Sequence, residues 1–296
     1  MAAPDINEVV AWVREGLANG VGPWRCPWRD PYGARNGLTG HRYRGLNPWL
    51  LSARASAHGW TDPRWCTARQ MQRRGWRLMP GQTAVGPSWI AAMTTYFPPH
   101  QQSRPKSKRD YRLVTRWYAV YNFDQLINAP SLRRPRAPLR GPLPDWSRAD
   151  DVVARLDADI RHGRSQASYS PHADVISMPD KEHFISPSDY YATLFHELAH
   201  WTSHSSRLNR PSSGPWGSPA YALEELVAEL AAANCMASLG LDARQEVRED
   251  HLRYISGWIR ALHDKPGALL TAARRADKVT RFILRERRKA SESAGV

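Results

Sequence analysis

An α+β fold in two domains is what this sequence of 296 residues predicts, and three observations carry the expectation. Charge is divided unevenly along the chain. Residues 1–130 hold 18 Lys and Arg against 7 Asp and Glu, a surplus of +11, whereas residues 151–296 hold 19 of each. Between them, Asn128–Trp146 ("NAPSLRRPRAPLRGPLPDW") has five prolines and no periodicity, as a semi-extended linker would. The first half mixes helix end signals with two stretches rich in aromatic and β-branched residues, and the second carries well-capped helices after an extended segment. The expected domains are 1–130 and 148–296, joined by a Pro/Arg-rich linker over 131–147.

At 42% hydrophobic and 24% charged residues, the composition is that of a soluble globular protein. No apolar run approaches the roughly 20 residues that span a bilayer. The start, "MAAPDINEVVAWVREG", lacks the basic and apolar regions of a signal peptide. Cys26, Cys66 and Cys235 match no metal or redox spacing and are expected to be inert thiols in a reducing cytosol. A cytoplasmic protein with no membrane partner is therefore expected.

In chain order, Glu8–Leu17 has helical spacing, and Pro23–Gly45 reads as a loop studded with Trp and Arg. Asn47 is expected to cap a helix with Pro48 at its first position, ending near Gly59. A shorter helix runs from Ala68, capped by Thr67, to Gly75. Thr83–Phe97 and Tyr111–Phe123 read as two strands around a basic loop, "PPHQQSRPKSKRD". After the linker a helix is expected over Ala149–Ile160, then an extended segment, Ala167–Pro179, two longer helices and a helical tail ending in "RFILRERRKA".

The first long helix contains "FHELAHW". Its beginning is signalled independently of that motif: Ser186 can cap it, Pro187 suits its first turn and Asp189 completes a capping box. His196 and His200 are four residues apart and share a face, so both imidazoles can reach one metal ion. Glu197 is rotated to the side, where it can act as a base toward water without ligating. A histidine six positions after the second motif histidine would mark the metzincin class, but that position is Ser206, and His204 lies poorly placed one turn on. The remaining source of a third ligand is a carboxylate from the next helix. That helix is bracketed by Ser218–Pro219 and Leu239–Gly240 and contains "EELVAEL". Glu225 and Glu229 share its apolar side, where carboxylates are costly unless something positive meets them. One of the two would ligate and the other would accept the free ring N–H of a ligand histidine. Glu224 is expected on the solvated side. Two histidines and a carboxylate suit one divalent ion, Zn²⁺ first and Mn²⁺ as an alternative.

The basic half has the composition that single-stranded nucleic acid requires: arginines for phosphates, aromatic rings for unpaired bases. Trp24, Arg25, Trp28, Arg29, Arg42, Tyr43 and Arg44 are candidate contacts, as are Arg104, Lys106, Lys108 and Arg109 of the basic loop. Trp12 and Trp89 sit in core-like patterns. No helix-turn-helix or zinc-finger pattern favours duplex.

"DYYATLFHELAHWTSHSSRLNR" and "YALEELVAEL", with "DVISMP" before them, closely resemble the C-terminal metallopeptidase-like domain of plasmid antirestriction proteins of the ArdC type. "PWRCPW", "HRYRGLNPWLL" and "YNFDQL" resemble that family's N-terminal domain, so the resemblance covers both halves in order. It implies a domain binding single-stranded DNA joined to a zincin-like domain, and protection of incoming plasmid DNA from host restriction during conjugation. It implies metal-ligand roles for His196 and His200 and the base role for Glu197. Against the thermolysin-like pattern ExxxD, "ELVAE" favours Glu225 as third ligand with Glu229 behind it, although the spacing also allows the reverse. "ADVISMP" would be the strand beside the cleft, along which a peptide could pair. A protease acting on DNA-bound protein and a DNA-coating protein with a structural metal site are the two readings in play.

Overall fold

The computed structural model describes residues 3–5, 7–9, 11, 33–96, 112–131, 146–210, 214–215, 218–241 and 267–284. The chain separates into two units, Met1–Arg140 and Gly141–Val296. Of the first expected helix, the described residues 7–9 and 11 are helical. The expected Trp/Arg loop up to residue 32, the basic loop and most of the linker lie outside the described residues.

In the first unit the elements run β1 (Arg35–Asn36), α1 (Asn47–His58), β2 (Arg64–Thr67), α2 (Ala68–Arg73), β3 (Arg77–Leu78), α3 (Gln82–Val85), β4 (Ser88–Tyr96), β5 (Arg112–Asn122) and β6 (Leu126–Ile127). A four-stranded sheet has the order β1-β2-β5-β4, with β1 and β2 parallel and the rest antiparallel. The long β4–β5 ladder runs in register from Ser88↔Val120 to Tyr96↔Arg112. The expected first strand begins later than its composition suggested. Gln82–Val85 turns as a short helix, and Gly86 at φ 73° resets the chain before Ser88.

Successive residues of β2 face opposite sides of the sheet, and each side has its own core. Trp65 joins Ala34, Leu51, Ala55, Trp60 and Val120 beneath α1, while Cys66 joins Phe123 and Leu126 on the other side. Burial pushes the Cys66 thiol up to about 12, and Cys235 is also buried. Trp89 is only partly buried, so it does not fill the core as its pattern suggested. Asn47 differs too: its amide donates to Ala91 O (2.8 Å) and accepts from Ala91 N (2.7 Å), so its side chain ties α1 to β4. Thr67 and Gln70 do form a reciprocal cap on α2.

The segment "YNFDQL" is a hydrogen-bonded corner. Asn122, fully buried, donates to Asp62 O and accepts from Asp124 N, both at 2.8 Å. The Asp124 carboxylate accepts from Thr61 N and Asp62 N (2.6 and 2.9 Å), and Gln125 donates to Gly86 O (3.2 Å).

The second unit contains α4 (Ser147–Ala154), β7 (Asp159–Arg161), β8 (Ser168–Ser170), β9 (Val175–Ser177), α5 (Pro187–Trp201), α6 (Pro219–Leu239) and α7 (Gly267–Ile283). The expected helix to Ile160 stops at Ala154. Asp157 takes a left-handed φ of 55°, and Ile160 pairs in parallel with Ile176. A strand partner outweighs local helical preference there. The extended segment is likewise two strands in a sheet of order β7-β9-β8. "DVISMP" therefore supplies the central strand, bonded on both sides, and cannot also receive a peptide. Among the described residues, the outer strands of this sheet are β7 and β8. α6 packs against both α5 and α7, and α7 also touches α5. No helix of the described residues is long and apolar enough to cross a membrane.

Asn122→Ala is expected to destabilise the first unit by about 2 kcal/mol, because it removes the partner of the buried Asp62 C=O and of the half-buried Asp124 N–H. Chemical denaturation of the variant against the parent checks this. An unchanged midpoint would deny the corner its structural weight.

Candidate metal centre

α5 begins as its sequence demands. Ser186 Oγ accepts from Asp189 N (3.3 Å) and donates to the Asp189 carboxylate (3.0 Å), with Pro187 in the first turn. α6 begins on Ser218, whose hydroxyl accepts from Tyr221 N (3.2 Å), and ends at Gly240 with φ 72°. Leu194, Phe195, Leu198 and Ala199 of α5 are buried, as are Leu226, Val227 and Leu230 of α6. The polar residues among them are half-buried and turn toward one another.

His196 Nε2 and His200 Nε2 stand 3.1 Å apart. Glu225 offers one carboxylate oxygen to each, Oε2 to His196 Nε2 and Oε1 to His200 Nε2, both at 3.6 Å. Four-coordinate ligands at about 2.0–2.1 Å from one cation stand roughly 3.3 Å from each other. The three donor atoms have that spacing and the chemistry of a divalent site, so these residues fit a metal ion. Among the described residues, this is the one His/Cys/Asp/Glu group that could hold one.

The outward nitrogens are also met. Glu229 Oε1 lies 3.3 Å from His196 Nδ1, and Glu224 Oε1 lies 3.7 Å from His200 Nδ1. Burial alone would drive His196 down, but the Glu229 and Glu225 carboxylates outweigh it and hold its pKa well above the ordinary imidazole range. Glu225 is held below the usual carboxylate range: burial opposes this, and His196, His200 and the Tyr221 hydroxyl prevail. Glu197 is buried beside the histidines, and that burial raises its pKa despite a hydrogen bond from the Tyr169 backbone N–H on β8.

Glu224 is not on the solvated side. It is 5% exposed and bonded to Arg210, because α6 is apolar all round rather than along one stripe. His204 is turned away, with Nδ1 2.8 Å from Ser206 Oγ. Sequence reasoning also missed Tyr169, Arg210 and Tyr221. Tyr221 stands one helical turn before Glu225, a spacing that could have revealed it. Burial, then Glu225 and Glu197, push its phenol up to about 12. No spacing rule points to Arg210 or Tyr169.

Of the expected nucleic-acid contacts, Trp24, Arg25, Trp28, Arg29, Arg104, Lys106, Lys108 and Arg109 lie outside the described residues. Arg42 and Arg44 are exposed. Tyr43 between them leans on the core beneath α1, and burial raises its phenol to about 12, so much of its ring is already covered.

Residues 147–275 match the family described as zincin-like metallopeptidase, and residues 6–121 match the N-terminal domain of anti-restriction factor ArdC. The crystal structure of the antirestriction ArdC protein from plasmid R388 without metal is 31% identical with a TM-score of 0.73, covering 95% of this chain and 96% of that one. Its Mn(II)-bound form is 30% identical with the same score, covering 96% and 97%. The uncharacterized protein y4eC of Sinorhizobium fredii is 33% identical over 285 residues, 94% of this chain and 91% of that protein. A DNA primase TraC of Escherichia coli is 34% identical over 302 residues, which is 95% of this chain but only 27% of the primase. With both of its units matched in order, and the R388 protein alike over nearly its whole length, the chain belongs to the ArdC family of antirestriction proteins.

Proposed function

We propose that this protein protects incoming plasmid DNA from host restriction during conjugation. In this reading residues 1–130 bind single-stranded DNA, and the second unit is a metal-dependent peptidase acting in the cytoplasm on protein found at DNA. The observation that carries the peptidase reading is the convergence of His196, His200 and Glu225 on one point, with Glu197 buried beside it.

His196 Nε2, His200 Nε2 and a Glu225 oxygen would hold the ion, with Glu229 accepting from His196 Nδ1. Zn²⁺ is the expected ion, and Mn²⁺ also suits the donors. When bound, a divalent cation supplies Lewis acidity, which acidifies water and polarises a carbonyl. Glu197 accepts the proton of the attacking water on a carboxylate oxygen and returns it to the leaving amine. Its raised pKa brings it closer to the neutral range in which such a base works. The Tyr169 N–H fixes the carboxylate that moves the proton.

A second reading, DNA coating without proteolysis, is favoured by the charge division: the whole net charge of +14 lies before residue 151. Tethering a basic unit to a neutral one raises the latter's effective concentration at DNA, so the basic unit matters under both readings.

Elemental analysis of protein purified without chelator is expected to find about one divalent ion per chain, lost in His196→Ala and His200→Ala. Glu225→Ala is expected to release the ion, whereas Glu229→Ala weakens it by about 10–100-fold. The opposite pattern would exchange the two roles.

Binding to single strands is expected to exceed binding to duplex and to weaken steeply with salt as counterions are released. Replacing both Trp24 and Trp28 by Ala should remove about 1–3 kcal/mol per lost stack. Salt-independent binding in a filter or fluorescence titration would sink this assignment.

Plasmid transfer into restricting and non-restricting hosts separates the two readings. Glu197→Gln is expected to abolish protection while keeping metal and DNA binding. If it protects fully and the Trp24/Trp28 double variant does not, coating is the mechanism.

A further inference from the structure

The turn that follows α5 folds back on the helix end, with Leu208 N donating to Thr202 O and Arg210 N to Ser203 O, each at 3.0 Å. This places the Arg210 guanidinium between the last turn of α5 and the early part of α6, with only 8% of its side chain exposed. It donates to Ala199 O (2.8 Å) and Thr202 Oγ1 (2.7 Å), and grips Glu224 with two prongs, Nη2 to Oε1 at 2.5 Å and Nε to Oε2 at 3.2 Å. The same Oε1 faces His200 Nδ1 at 3.7 Å, so Arg210, Glu224 and His200 form one continuous line ending at the metal donors.

Capping a helix end explains the bonds to Ala199 and Thr202. It does not explain a carboxylate with 7% of its side chain exposed on the facing helix, since a buried ion pair adds little stability over apolar packing of the same volume. What the pair supplies is position. A forked guanidinium fixes both oxygens of Glu224, and a carboxylate oxygen held 3.7 Å from Nδ1 favours one orientation of the His200 ring, with Nε2 left for the ion.

We propose that Arg210 is a positioning residue of the metal centre, acting through Glu224 on the His200 ring to set the affinity and geometry of the divalent ion. The proposal rests on the metal-centre reading given above. Mn²⁺ affinity of the full chain, measured by competition with a chelating dye, is its first test, and the electronic spectrum of the Co²⁺-loaded chain is the second. Glu224→Gln keeps the side-chain volume and is expected to lower Mn²⁺ affinity by about 10–100-fold. Arg210→Met should lower it in the same direction and Arg210→Lys should not restore it, because a single ammonium cannot hold both oxygens. Combining Glu224→Gln with Arg210→Met should add little to the greater single loss, since the two act as one unit. The Co²⁺ bands should shift in each single variant. Thermal melts keep folding separate from binding: lower melting with unchanged affinity and an unchanged Co²⁺ spectrum would overturn the proposal and leave Arg210 a helix brace. Should the Arg210 variants fail to fold, wild-type affinity and spectrum in Glu224→Gln overturn it equally. A parent chain that takes up no Mn²⁺ would instead overturn the metal-centre reading itself.

Discussion

Burying three carboxylates on one helix is the constraint around which the second unit is built. Glu224, Glu225 and Glu229 project from a helix whose other residues are mostly Ala, Leu and Val, and an unmatched carboxylate there would cost several kcal/mol. The neighbours that make it tolerable come from two places. α5 presents His196 and His200 a turn apart, and the chain beyond it returns to present Arg210. Each carboxylate then has a nitrogen partner within 3.7 Å. The Ser–Pro starts of both helices set where those residues stand along the axes. α7 packs against α6 and also touches α5, where the rings of Trp201 and Phe282 meet with centres 6.2 Å apart.

The parts of this site that were legible in the sequence are those governed by helical spacing. HExxH places two imidazoles on one face by geometry alone, and ELVAE places two carboxylates on one face by the same arithmetic. Their meeting, and the nearness of Glu225 to both Nε2 atoms, depend on how two helices cross, which no spacing fixes. Glu224 shows the limit well. Read on a helical wheel, it falls away from Glu225 and Glu229 and suggests solvent. Its burial on this all-round apolar helix is tolerated because Arg210, fourteen residues earlier in a turn with no periodicity, arrives from outside the helix. The same limit appears at Ile160, which extends a helical pattern locally but is taken by a parallel strand partner sixteen positions away.

In the first unit the division between structural and binding residues runs against first appearances. "YNFDQL" is among the segments that resemble the family most directly, yet Asn122, Asp124 and Gln125 spend their polar atoms on the protein's own backbone. Tyr43 sits between two exposed arginines and looks like a stacking residue, but it leans on the core. The aromatic residues that hold the sheet, Trp60 and Trp65, meet edge to face with ring centres 5.9 Å apart. Composition alone cannot sort such rings into core and contact. The expectation for Trp24 and Trp28 rests only on their Pro and Arg neighbours in the sequence.

Charge gives a reason for keeping the two proposed jobs on separate units. Four carboxylates, Glu197, Glu224, Glu225 and Glu229, stand around the histidine pair, and the second half of the chain has no net positive charge to offset them at a distance. A phosphate backbone approaching that centre meets like charge in a site partly removed from water, where repulsion is screened least. Summed over the chain, the net surplus of arginine and lysine lies in the first 150 residues, which makes them the favoured place for a polyanion. A centre lined with carboxylates is suited to a neutral peptide carbonyl and to a cation, and unsuited to DNA itself. In the proposed function, the separation would let one half hold nucleic acid while the other keeps its carboxylates in the charge state that its histidines and Arg210 impose.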